Sequence, residues 1–97
     1  MPTVIDHYAL PQEKGEHIIE VPFGAIFRHF TARSDDGTFR LFFERSNIMS
    51  NISNPRFFQV FATGEEVPNG LEYLQTYAVG PFAFHLYERK QATKEMN

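Results

Sequence analysis

The sequence predicts a mainly β fold: a compact antiparallel sheet, or a small sandwich or barrel, of about five to six short strands with little helix. Three observations predict it. Apolar and polar residues alternate with period two through most of the chain, the pattern of a strand with one buried face. No long stretch has the period near 3.6 of an amphipathic helix. Clusters of Gly, Pro, Asn and Asp fall between the alternating runs and supply turns.

Taken in order, Thr3 to Leu10 reads as an edge strand stopped by Pro11. His17-Ile18-Ile19-Glu20-Val21 is rich in β-branched residues and ends at the Pro22-Phe23-Gly24 turn. Ala25 to Thr31 follows, with Ala25, Phe27 and His29 on one face and Ile26, Arg28 and Phe30 on the other. Ser34-Asp35-Asp36-Gly37 is a hairpin signal, and its Asp-Gly pair suits a type I′ turn. Thr38 to Glu44 then runs back antiparallel, with Phe39, Leu41 and Phe43 on one face and Arg40, Phe42 and Glu44 on the opposite one.

Arg45 to Pro55 is polar and reads as a loop, with room for one helical turn at Asn47 to Ile52. Pro55 lacks the N–H a ladder needs, so the next strand is expected to start after it. Arg56 to Ala62 is apolar on both faces, which fits a central strand covered on both sides or on one side by a partner subunit. Thr63 to Gly70 is turn-rich. Leu71, Tyr73, Gln75 and Tyr77 then alternate with Glu72, Leu74 and Thr76. Ala78-Val79-Gly80-Pro81 turns the chain, and Phe82, Phe84 and Leu86 alternate with Ala83, His85 and Tyr87. One domain spans 1–97, with a structured core at about 3–88 and a polar tail, 89–97, expected to fray.

The composition narrows the function classes. The 97 residues include 11 Phe and 4 Tyr, no Cys and a formal net charge of −3. Without cysteine there is no disulfide, thiolate metal site or thiol nucleophile. The acidic balance argues against a sequence-independent grip on nucleic-acid phosphates. No run approaches the roughly 18 apolar residues of a membrane span, and the amino terminus lacks the features of a secretory signal, so a cytoplasmic protein is expected. A domain of this size buries only about 60–65% of its extended surface, so some phenylalanines are expected to find cover in a homo-oligomer.

Three stretches carry a family resemblance. They are Ile19-Glu20-Val21-Pro22-Phe23-Gly24-Ala25-Ile26, then Arg56 to Gly64 followed by Val67-Pro68, then Leu71 to Thr76 with Gly80-Pro81-Phe82-Ala83-Phe84-His85-Leu86-Tyr87-Glu88. On these the chain resembles a small family of uncharacterised proteins encoded by phages and prophages, marked by a Pro-x-Gly-Ala turn and a Gly-Pro-Phe to His-x-aromatic-Glu final strand. It departs from that pattern at Glu65-Glu66, where a His-Pro pair is common, and at Phe84, where a Trp is expected. The resemblance implies a phage context and a host bacterial cytosol, with no activity to carry over.

Residues able to carry chemistry are few. His7, His17, His29 and His85 show no metal-ligand spacing, so no metal or other cofactor is expected. Ser34, Ser46, Ser50 and Ser53 lie in loops outside any nucleophile elbow. The acid pairs Asp35-Asp36 and Glu65-Glu66 are neighbours in turns, and adjacent residues on extended chain point to opposite faces. An enzyme is therefore not expected. Binding is favoured instead. Arg28, Arg40 and Arg56 each have an aromatic two positions away, Phe30, Phe42 and Phe58, which would suit a phosphate fork beside a stacked base. Those arginines, with Phe58, Tyr73 and the mid-strand His85, form the candidate ligand-binding set. The expected function is a non-catalytic phage accessory protein that sequesters a host target. That target is a small anionic nucleotide signal or a host protein met by an aromatic patch; the alternative is a virion structural or assembly protein.

Overall fold

Seven strands form in a computed structural model that describes residues 2–33, 35–47 and 52–90. They are β1 (Thr3–Pro11), β2 (His17–Pro22), β3 (Ile26–Arg33), β4 (Thr38–Ser46), β5 (Ser53–Ala62), β6 (Leu71–Val79) and β7 (Phe82–Arg89). All pairings are antiparallel: one sheet has the order β1-β4-β3 and the other β2-β5-β7-β6. The architecture is thus an open two-sheet sandwich, neither a single sheet nor a closed barrel. Every alternating run of the sequence is a strand, which raises the expected count of about five to six. Residues 48–51 of the anticipated helical turn at Asn47 to Ile52 lie outside the described residues, as do Ser34 and the tail from Gln91 onward.

The core is the inward row of each sheet. Phe30, Phe43, Phe58, Leu41, Leu86 and Val21 are its largest fully buried side chains. Phe39 and Phe84 stack across the gap between sheets at 5.3 Å, and Phe43 and Phe58 at 5.9 Å, both edge-on, the geometry aromatic quadrupoles favour. Most of the phenylalanine load is absorbed within one chain. Phe23 and Phe82 are not covered, at 69% and 64% exposed.

Five local expectations need correction. The polar stretch 45–55 is shorter as a loop than its composition suggests, because β4 continues to Ser46 and β5 begins at Ser53. Pro55 lies inside β5, opposite Glu20. Just beyond that ladder the Phe23 N–H donates to the Ile52 carbonyl at 3.1 Å, so odd-numbered residues of β2 bond toward β5 and the Pro55 nitrogen faces away from it. Among the described residues pairing with β7 starts only at Phe58, so Pro55 has no ladder bond there to lose.

The other corrections concern parity and turn type. A β-bulge between Phe27 and His29 inserts Arg28 as an extra residue. Phe27 and Phe30 both face inward while Arg28 and His29 face out, so Arg28 does not share a face with Phe30. A second bulge between Tyr73 and Gln75 puts Tyr73 and Thr76 on the outer face with Tyr87 and His85, and Gln75 and Tyr77 inward. Among the described residues of the β3–β4 turn, Gly37 alone takes a positive φ, 68°. Asp36 does not, which excludes type I′; its carboxylate instead accepts from the Thr38 N–H at 3.1 Å.

Candidate functional site

Each arginine of the chain meets a carboxylate of the same chain. Arg28, pushed out by the bulge, donates through Nε to Glu44 Oε1 at 2.8 Å. The other oxygen of Glu44 accepts from the Thr3 hydroxyl, and these two bonds, Thr3 foremost, hold its carboxyl below the ordinary glutamate value. Arg40 lies outward on β4 and reaches Asp36 at 2.9 Å. The hydrogen bond from Thr38, then that from Arg40, keeps Asp36 below its usual range. Arg33 forks onto Asp35, Arg45 meets Asp6, and Arg89 forks onto Glu16 while lying 4.0 Å over the Phe57 ring.

Arg56 is placed differently. It points between the sheets and holds buried Glu88 by two parallel bonds of 2.6 and 2.8 Å. Its remaining terminal nitrogen donates to the Ala25 carbonyl at 2.9 Å, and its guanidinium lies 5.1 Å from the Phe43 ring and 5.8 Å from Phe58. This arginine ties β5, the end of β7 and the β2–β3 turn together. An ion pair with both fork bonds made, beside two rings that also touch each other, satisfies a charge that burial would otherwise penalise.

Of the six candidate residues, the structure therefore brings together two separate groups. Arg56 and Phe58 meet in the core, where Phe58 is wholly buried. Tyr73 and His85 meet on the outer face of the four-stranded sheet through Thr76: the Tyr73 hydroxyl is 2.7 Å from the Thr76 hydroxyl, which is 2.8 Å from His85 Nδ1. His85 Nε2 closes the chain on the Thr63 hydroxyl at 2.8 Å. Arg28 and Arg40 lie on the outer face of the other sheet. The three nominated arginines do not converge.

Around His85, Thr63, Gly64, Glu65 and Val67 line an open pocket with Phe61 and Tyr87. Phe61 is buried there against Tyr87, 5.4 Å away, and Tyr87 meets Tyr73 at 5.5 Å. This explains the two-faced apolar pattern of β5: its outer side is shielded by a ring cluster and Arg89 of its own chain. A second apolar feature was not singled out in the sequence. At the β6–β7 hairpin tip, Val79 and Phe82 occupy paired positions on the inward-facing row, yet are 39% and 64% exposed. With Ala32, Arg33, Phe84 and Gln12 they line an open hollow of about 390 Å³. The sheet opposite ends before the hairpin does, so inward-facing side chains are left without a lid. No sequence pattern signals this, because it depends on where the second sheet stops.

Among the described residues no group of three or more His, Asp or Glu could hold a metal ion, and no helix is long and apolar enough to cross a membrane. Fold and surface define a small open antiparallel β-sandwich with internally matched arginines and an uncovered apolar hairpin tip. The chain belongs to the family described as Domain of unknown function (DUF7352), whose sequence profile matches residues 1–97. No curated protein and no solved structure matches it.

Proposed function

We propose that this domain is a non-catalytic, phage- or prophage-encoded accessory protein that works in the host bacterial cytosol by binding a host protein through the uncovered apolar tip of the β6–β7 hairpin. The observation that supports this reading is the pairing of opposites on the surface. The arginines suited to an anionic ligand are occupied by Glu44, Asp36 and Glu88, whereas Phe82 and Val79 stand exposed beside a ready hollow. Contiguous exposed apolar groups rimmed by polar ones, here Gln12 and Arg33, mark protein interaction sites. An anionic nucleotide would first have to break ion pairs already made, which favours the protein-target version of a sequestering role over the nucleotide version.

The test has two arms. Thermal unfolding against linear and cyclic nucleotides should stay flat, whereas a ligand at about 100 times its dissociation constant adds roughly 2.7 kcal/mol and several degrees. In affinity capture from host lysate, a specific protein band should be lost with Phe82→Ser and retained with Arg28→Ala and Arg40→Ala. A nucleotide-dependent shift that disappears in Arg28→Ala or Arg40→Ala would overturn the reading.

A further inference from the structure

The sandwich has four strand edges, and they are finished unequally. The edge of β3 carries a bulge at Arg28, and beyond it the Gln75 side chain takes both outward backbone groups of Phe30: its Oε1 accepts from the Phe30 N–H and its Nε2 donates to the Phe30 carbonyl, each at 2.8 Å. The edge of β6 is interrupted by its own bulge. The edge of β2 is six residues long and ends in Pro22. Bulges, shortness and proline are the usual devices that stop edge pairing.

The edge of β1 has none of these along its length until Pro11. Its register with β4 is unbroken from Thr3 to Pro11, and among the described residues β4 is its only ladder partner. Two bonds that flank this ladder fix which backbone groups point where: the Asn47 N–H donates to the Pro2 carbonyl and the Gln12 N–H to the Gly37 carbonyl. Even-numbered residues therefore bond toward β4, and Thr3, Ile5, His7 and Ala9 present their N–H and C=O groups to the open side. Pro11, which has no N–H, falls in the same outward set and costs β1 no bond to β4.

We propose that this edge pairs with the β1 edge of a second copy of the chain, antiparallel about a two-fold axis at His7, so that the two three-stranded sheets become one continuous sheet. A two-fold interface is self-complementary, and His7 is the middle residue of β1. Centring there pairs outward groups with outward groups along the whole strand: His7 with His7, Ile5 with Ala9 and Thr3 with Pro11 of the other copy. The faces stay in phase, so inward Val4 meets Leu10 and inward Asp6 meets Tyr8. Asp6 is the one carboxylate on β1 and is already matched by Arg45 in its own chain. Shifting the axis by one residue to Asp6 sets two carboxylates face to face. Shifting it to Tyr8 sets Asp6 against Leu10. Of these three central registers only the one at His7 avoids both, and it is the one that pairs the strand over its full length. On the outer face, Ile5, 55% exposed, gains cover from Ala9 and its neighbours.

This inference is independent of the host target, and its test uses no ligand. Sedimentation equilibrium of the full chain should give the mass of two chains, falling to one in Ala9→Pro, whose lost N–H serves no bond within the monomer. A charge pair then reads the register. Ile5→Lys with Ala9→Glu places opposite charges across the junction and should remain dimeric; Ile5→Lys with Ala9→Lys places like charges there and should be monomeric. Within one chain, residues 5 and 9 are too far apart along the strand for their charges to meet at short range, so the comparison holds even where Ala9→Pro fails to fold. A wild-type monomer at every concentration up to the solubility limit would overturn the proposal, as would a dimer that survives the like-charged pair.

Discussion

Along the β3–β6 side of the sandwich, one side-chain amide fills the backbone groups of Phe30 and a bulge skews each strand; along the β1–β2 side, nothing comparable among the described residues closes the longer strand. The contrast teaches how a small sandwich handles unpaired backbone. Gln75 acts as one residue's worth of a missing strand, an internal solution that needs no partner. β1 keeps an ordered row of outward donors and acceptors, which water satisfies in a monomer and a second strand satisfies in an assembly.

That comparison can be broken in steps of decreasing size. The largest effect lies in the layer both sides share. Arg56→Ala strands the buried Glu88 carboxylate and should cost about 3–5 kcal/mol, or roughly 12 °C or more in melting temperature. Arg56→Met combined with Glu88→Leu should recover most of that loss, since removing both charges leaves neither unpaired. On the closed side, Gln75→Leu keeps the apolar bulk but orphans the Phe30 N–H and C=O, and chemical denaturation should register about 1–3 kcal/mol for a group left unsatisfied.

The surface pairs give the smallest effects and a pH signature. Glu44, Asp36, Asp35 and Glu65 all sit below their ordinary carboxyl values because of hydrogen bonds accepted in the fold. The unfolded chain then binds more protons than the folded one, so stability is full above the ordinary carboxyl values and falls as pH drops through the folded ones. A melting series should be flat near neutrality and decline below about pH 4.5. Arg28→Ala should leave the neutral-pH melting temperature close to wild type, because exposed ion pairs contribute little.

Much of the fold was legible because burial on a strand writes a period of two directly into the chain. Phe39, Leu41 and Phe43 on β4, and Phe84 and Leu86 on β7, lie inward as that period requires. The bulges were not legible. Arg28 and Leu74 look like ordinary alternating residues, and only the pairing strand reveals the extra one. Every face assignment across such a residue inverts, which is why a period of two sets Arg28 beside Phe30 and Tyr73 beside Gln75 while the fold separates them. The candidate site suffered from a second gap. Residue type placed Arg56 among ligand-binding groups, but its partner Glu88 lies on β7, and their meeting follows from sheet order, which the local sequence does not carry. Tyr73 and His85 do share a face, joined by Thr76, a residue whose short hydroxyl gave no signal of its own.

Amide hydrogen exchange at two protein concentrations tests the contrast between the sides most directly. The Phe30 amide should be protected equally at both, because Gln75 of the same chain holds it. The amides of Ile5, His7 and Ala9 should exchange fast when dilute and slow down together as concentration rises, while Tyr8, bonded toward β4, changes less. Fast exchange of Ile5, His7 and Ala9 at both concentrations would contradict the account, and so would a Phe30 amide as open as theirs.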